Sequence, residues 1–259
     1  MNDLPDPIPA ATLILMRPVP SASGVPEILV MERTQSMAFA AGALVFPGGR
    51  IDPDDEALAA QIGAGFDHAA ARIAAIRETI EEAGIAPALA STPDAATVAH
   101  IRRELEAETP FSTLLDAFGL ELDLAALTPF ARWCPTFKET RRFDTLFFVA
   151  EAPADAEITS FAEAEAVRAF WANAADTLAE ANAGRAHMMF PTRRNLERLA
   201  RFASIDEARA DALRHPVQMI VPRIEERDGV KWLCIPEDAG YPVTAELLES
   251  ARPPATRLR

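Results

Sequence analysis

The stretch Arg77-Glu78-Thr79-Ile80-Glu81-Glu82-Ala83-Gly84-Ile85 constrains the fold of this chain more than any other. Wound as a helix, it separates two kinds of side chain. Ile73, Ile76, Ile80 and Ala83 recur at spacings of three and four, so they share one stripe. At about 100° per residue, Glu78, Glu81 and Glu82 gather on roughly the opposite side. Gly84 stands where a left-handed cap would end the helix. Asp67 is the expected N-cap, a few residues before the apolar period begins.

Three carboxylates on one patch repel one another. Like charges one turn apart destabilise an isolated helix by roughly 0.2–0.5 kcal/mol per pair. A divalent cation would turn that repulsion into coordination, because hard oxygen ligands suit Mg²⁺ or Mn²⁺. The alternative is a solvated acidic face. The residues upstream favour a site. Val45-Phe46-Pro47-Gly48-Gly49-Arg50-Ile51-Asp52 reads as a strand running into a glycine turn, where backbone can approach a ligand closely.

Composition narrows the function classes. The chain has 259 residues, enough for one large domain or two small ones, and can bury a sizeable core without disulfide or metal staples. Its formal net charge of −14 argues against general nucleic-acid binding, which needs a basic footprint. A small anionic substrate remains compatible, received by a metal and a few local arginines. Cys134 and Cys234 lie far apart and form no C-x-x-C pair, so a reduced, cytoplasmic setting without a zinc site is expected. The acidic, proline-bearing start lacks the basic region of a signal peptide, and no apolar run approaches a membrane span.

Along the chain, residues 11–17 and 27–33 read as two paired strands, and 43–46 as a third. Residues 52–56 read as an acidic turn that caps one or two helical turns over 57–62. Helices are expected over 94–107 and 111–118, broken at Pro110, and they lid the site or pack beside a sheet. Residues 128–135 and 141–150 read as strands, and 173–183 as a helix. Between those strands, Lys138, Arg141 and Arg142 form a dense positive cluster, either an exposed basic turn or a clamp on phosphate. Pro191 opens a helix to about residue 202, and Ser204 caps another to 215. Residues 217–221 and 230–235 are expected to form a hairpin about Asp228-Gly229. No repeat or low-complexity linker divides the chain. A single domain over 1–259 is expected, with a core over about 10–185 and a C-terminal extension over about 186–259.

A glycine turn followed by R-E-x-x-E-E-x-G resembles the Nudix box. The helical half matches position for position, except that Thr79 stands at an apolar place. The first half departs. Counting from Gly49, the box's first glutamate falls on Asp55, with Glu56 beside it, and Arg77 comes about 14 residues later than in the standard pattern. That long insertion, together with Phe46-Pro47-Gly48-Gly49-Arg50-Ile51-Asp52, Arg142-Phe143-Asp144-Thr145 and Phe190-Pro191-Thr192, resembles the branch of peroxisomal acyl-CoA diphosphatases and their bacterial relatives. The resemblance covers most of residues 10–240.

It implies an α/β/α sandwich around a mixed sheet. It implies a hydrolase that uses Mg²⁺ or Mn²⁺ to split the pyrophosphate of a nucleoside diphosphate joined to another group. CoA or acyl-CoA would yield 3′,5′-ADP and (acyl-)phosphopantetheine. Glu78, Glu81 and Glu82 are the implied metal ligands, with the Gly48 carbonyl and a further carboxylate, Glu165 ahead of Glu163. Glu78 is the simplest choice if one of the glutamates acts as base. Arg77 would orient a box glutamate through an ion pair. Arg33, Arg50, Lys138, Arg141 and Arg142 are the candidates for holding phosphates. A broader nucleoside-diphosphate hydrolase acting on ADP-ribose or NADH, and a non-catalytic sensor or scaffold, are the alternatives. Many members of the family are homodimers, so that assembly is a further expectation.

Overall fold

The computed structural model describes residues 5–19, 24–34, 40–136, 142–154, 156–158 and 166–251. Its spine is a parallel pair, β1 (Ile8–Arg17) beside β6 (Phe143–Glu151), in register from Ile8 opposite Phe143 to Met16 opposite Glu151. Both strands are near-continuous apolar runs, as burial on two faces requires. Side chains alternate between the faces. Leu13, Leu15, Leu146 and Phe148 enter one core, whereas Ile14, Met16, Phe147 and Val149 enter the other.

β2 (Glu27–Arg33) pairs antiparallel with β1 only at Met16–Ile28 and Arg17–Glu27. Farther along, that edge of β2 takes β3 (Ala43–Val45), while its other edge pairs with β7 (Ala166–Ala172). The chain then crosses at Phe46-Pro47 and continues as β4 (Gly48–Arg50) against Ala10–Thr12 of β1. The glycine turn therefore sits in the fork where β1 and β2 part. β5 (Thr128–Trp133) pairs antiparallel with β6, and β8 (His187–Met188) and β9 (Met219–Ile220) add short parallel edges.

One face is covered by α2 (Ala69–Ala83), α3 (Ala95–Glu106) and α4 (Phe111–Phe118), with α1 (Pro53–Ile62) beside α2. The other is covered by α5 (Ala174–Asn182), α6 (Phe190–Leu199) and α7 (Ile205–Arg214). The expected α/β/α sandwich with a mixed sheet is therefore the observed fold. A separate three-stranded sheet, β10 (Arg223–Arg227), β11 (Val230–Cys234) and β12 (Ala245–Leu247), follows, and ends in the short α8 (Leu248–Ala251). Among the described residues, no helix is long and apolar enough to cross a membrane.

Three local expectations are corrected. Residues 52–56 are not a free turn: the helix begins at Pro53, because proline suits a first helical position and acidic side chains suit a first turn. Asp67 does not cap α2. His68 holds the cap position in a left-handed conformation (φ 59°), and the Asp67 carbonyl instead accepts from Arg72 Nε at 3.0 Å. The hairpin about Asp228-Gly229 joins 223–227 to 230–234, and residues 219–220 pair with β5 in the main sheet. Pro222 lies between the two segments and has no N–H to continue a ladder.

Candidate active site

Helix α2 is buried nearly all round. Ile73, Ile76, Ile80 and Ala83 lie in the core, and Gly84 closes the helix in a left-handed cap (φ 64°). Thr79, at the apolar place of the motif, is also fully buried. Its hydroxyl donates to the Ala75 carbonyl at 2.7 Å, so the polar atom is satisfied within the helix. The acidic side is not simply a solvated face, since Glu82 is only 4% exposed.

The glycine turn packs directly on these carboxylates. Gly48 N donates to Glu82 Oε2 at 2.8 Å. A β-carbon at Gly49 would lie 2.3 Å from Glu78 Oε1. One at Gly48 would lie 2.4 Å from the Ala11 carbonyl oxygen and 2.7 Å from Thr12 Cα, both backbone atoms of β1. The two glycines thus serve different ends. Gly48 lets the fork of the sheet close, and Gly49 lets the helix glutamate reach the strand.

Arg77 is the hub beneath the patch. Its Nη2 donates to Asp55 Oδ2 and to the Arg50 carbonyl, each at 2.9 Å, and its Nε reaches Asp55 Oδ1 at 3.1 Å. Its Nη1 reaches Glu78 Oε1 at 3.0 Å and Glu81 Oε2 at 3.5 Å. Asp55 is fully buried and also accepts from Asp52 N at 2.9 Å. Burial pushes the Asp55 carboxyl above the usual aspartate range, against the opposing pull of the Arg77 guanidinium. Burial also works against the charge of Arg77, but its hydrogen bonds and the surrounding carboxylates outweigh it and hold the guanidinium protonated. The several short contacts between the two groups are those of an ion pair. The long insertion therefore folds into α1 and returns an acid to Arg77.

These groups open on one cleft of about 1460 Å³. Glu78, Glu81, Glu82, Arg77, Gly48 and Gly49 line it, as do Arg33, Arg50 and Arg142. Arg33 and Arg142 are half-buried, and their Nε atoms have no hydrogen-bond partner among the described residues. Arg50 is exposed. Lys138, Arg141, Glu163 and Glu165 lie outside the described residues. Among the described residues, no group of three His, Cys, Asp or Glu side chains is gathered as a ready metal cluster. Glu78 instead faces Arg77, and Glu82 faces Gly48.

Sequence reasoning missed much of the cleft wall, notably Trp133, Phe147, Phe190, Ile224, Leu233 and Leu248. Nothing local marks such residues, since each reads as ordinary core or surface until the chain folds. The pairing of Asp55 with Arg77 was half visible, because counting from Gly49 lands on Asp55.

No family profile and no curated protein matches the chain. Solved structures do. A Nudix hydrolase from Alicyclobacillus acidocaldarius is 29% identical, with a TM-score of 0.68, over 79% of this chain and 96% of that one. A MutT protein from Methanosarcina mazei Go1 is 16% identical, with a TM-score of 0.42, over 77% and 97%. The Nudix domain of Shewanella oneidensis NrtR, crystallised with ADP-ribose, is 14% identical, with a TM-score of 0.43, over 76% and 88%. The structural neighbours are Nudix hydrolases, and the first of them carries the likeness of fold.

Proposed function

We propose that this chain is a Nudix hydrolase that cleaves the pyrophosphate of a nucleoside diphosphate joined to another group, with CoA or acyl-CoA as the substrate. The observation that carries the reading is the meeting of Glu78, Glu81 and Glu82 with the Gly48-Gly49 turn in one cleft that also holds Arg33, Arg50 and Arg142. The likeness to the Alicyclobacillus Nudix hydrolase supports the same reaction class.

Carboxylate oxygens are the donor chemistry of a hard divalent cation, Mg²⁺ or Mn²⁺, and Glu78 and Glu82 would turn from Arg77 and Gly48 to reach it. Glu78, Glu81 and Glu82 would hold it, joined by the Gly48 carbonyl, with Glu165 as a further candidate. Such an ion neutralises phosphate charge and lowers the pKa of bound water. The protein's own residues supply the rest. Arg77, fixed by buried Asp55, orients Glu78 and Glu81 and compensates part of the repulsion on α2. Arg33 and Arg142 line the cleft, and the guanidinium group suits phosphate oxygens. Lys138 and Arg141 would extend that clamp. The CoA reading rests on the long insertion within the box and on the residues around it.

Mass spectrometry of products tests the reading. The protein would be incubated with Mg²⁺ or Mn²⁺ and a panel of CoA, acetyl-CoA, a long-chain acyl-CoA, ADP-ribose and NADH. Release of 3′,5′-ADP from the CoA compounds is the expected result. Cleavage of ADP-ribose or NADH alone would replace CoA by a broader substrate class. No cleavage of any member would favour a sensor or scaffold, whose fold should also gain no stability from Mn²⁺.

A further inference from the structure

The connection between α3 and α4 reaches the cleft: Glu108, Thr109 and Pro110 line the same space as Arg77 and the carboxylates of α2. It is pinned at both ends. At the end of α3, Glu108 N donates to the Leu105 carbonyl at 2.8 Å, and Thr109 N to the Glu104 carbonyl at 2.9 Å. These two bonds satisfy the last carbonyls of the helix and hold Glu108 in the left-handed region (φ 62°). Thr109 Oγ1 also donates to Glu104 Oε2 at 3.1 Å. Pro110 then takes the cap position of α4, where its ring offers no oxygen to the helix. The cap comes instead from α1, 58 residues away. Asp54 Oδ2 accepts from Ser112 N at 2.9 Å, and Asp54 Oδ1 accepts from the Ser112 hydroxyl at 2.6 Å. A carboxylate suits the free N–H groups and the dipole at that helix end. Neighbouring acids of α1 thus divide the work: Asp55 ties it to α2 through Arg77, and Asp54 ties it to α4.

We propose that Glu108 is a substrate-binding residue that accepts a hydrogen bond from a neutral donor of the substrate, a hydroxyl, amine or amide N–H, and that Asp54 is the positioning residue that holds its connection in place. The inference rests on the hydrolase reading of the same cleft. Glycine usually fills the place of Glu108, because a β-carbon is strained in the left-handed region. Among the described residues, Glu108 is the one charged side chain that is both held at positive φ and lines the cleft. Strain kept at a cleft wall points to a use for the side chain. Its chemistry narrows that use. An ionised carboxylate only accepts hydrogen bonds and repels phosphate, so its partner is an uncharged donor beside the pyrophosphate. Glu108 is exposed, so a ligand meets it without opening the core.

The test measures kcat and KM for CoA with Mg²⁺, and Tm, in the wild type, Glu108→Gly, Glu108→Gln, Asp54→Ala and Asp54→Asn. Titration calorimetry with Ca²⁺ gives the Kd of each form for CoA, ADP and phosphopantetheine. Glu108→Gly is expected to raise KM and the Kd for CoA at least about tenfold, the scale of a hydrogen bond to a charged group, and to change kcat by less than about threefold. Its Tm should not fall, because glycine relieves the strain, so the loss is not one of folding. Glu108→Gln keeps an acceptor and should recover most of the loss. Asp54→Ala should raise KM at a lowered Tm. Asp54→Asn, whose amide can accept from Ser112 N and donate to its hydroxyl, should restore both. A weakened Kd for ADP places the donor on the nucleoside, and one for phosphopantetheine places it on the other arm; either supports the proposal. An unchanged Kd for all three compounds in Glu108→Gly, no binding of any by the wild type, or a fall in Tm without a rise in KM in Asp54→Ala would overturn it. Weakened CoA binding in Glu108→Gly with no turnover by any form would keep the wall and count against the hydrolase reading. Turnover with KM and Kd unchanged in Glu108→Gly would do the reverse.

Discussion

Asp55 and Arg77 form a buried ion pair whose two members come from opposite ends of the long insertion. Removing one charge strands the other in the interior. Asp55→Asn is expected to lower unfolding free energy by about 3 kcal/mol, read from urea denaturation. A change below about 1 kcal/mol would mean that the pair does not hold α1 against α2. The two glycines of the turn separate stability from activity. Gly48→Ala would push a methyl into the backbone of β1, costing about 1–3 kcal/mol of stability. At Gly49→Ala the nearest atoms met are those of the Glu78 carboxylate, the far end of a side chain. That variant should therefore unfold close to the wild type yet lose at least about tenfold in kcat, since small displacements of a reacting group are costly. Equal effects of the two substitutions on both readouts would contradict these assignments.

At the scale of elements, the strands and long helices were legible because their signals are local: near-continuous apolar runs in β1, β2 and β6, and the 3.6-residue period in α2. The acidic patch and its glycine turn were visible for the same reason. What failed were boundaries decided by single residues. Pro53 started α1 four residues early, Pro222 split the expected hairpin from the main sheet, and His68 took the cap from Asp67. What was missed altogether was the far wall of the cleft, because it is assembled from α6, β10, β11 and α8 by long-range packing. That extension is tied to the sheet through Tyr241. Trp133 Nε1 donates to the Tyr241 hydroxyl at 3.0 Å, and that hydroxyl donates to Asn195 Oδ1 at 2.7 Å. Burial pushes the Tyr241 hydroxyl up to about 12, so it remains a donor throughout the ordinary pH range. Tyr241→Phe leaves both partners buried and unmatched. It should cost about 1–3 kcal/mol in the same denaturation assay, and a neutral result would contradict the tie.

For the whole molecule, the two cores are back to back on the same strands. Leu13 and Leu15 face one, Ile14 and Met16 the other, and β6 alternates likewise. Leu233, Ile235 and Tyr241 of the extension belong to the second core. Losing the packing on either face would bare one side of strands whose other side belongs to the second core. One folding unit follows as the expectation, with a single calorimetric transition whose van't Hoff and calorimetric enthalpies agree. Two separated transitions would mark residues 186–251 as an independent unit. The proposed function places the cation on the carboxylates of α2, beside Arg77 and the glycine turn. The most direct test of that claim is the turnover of CoA with Mg²⁺ by the wild type and by Glu82→Gln, with both melting temperatures recorded. Glutamine keeps an oxygen for the Gly48 N–H but loses the charge. The account predicts release of 3′,5′-ADP by the wild type and a fall of at least about a hundredfold in kcat for the variant at a nearly unchanged Tm. Unchanged turnover in Glu82→Gln would contradict it.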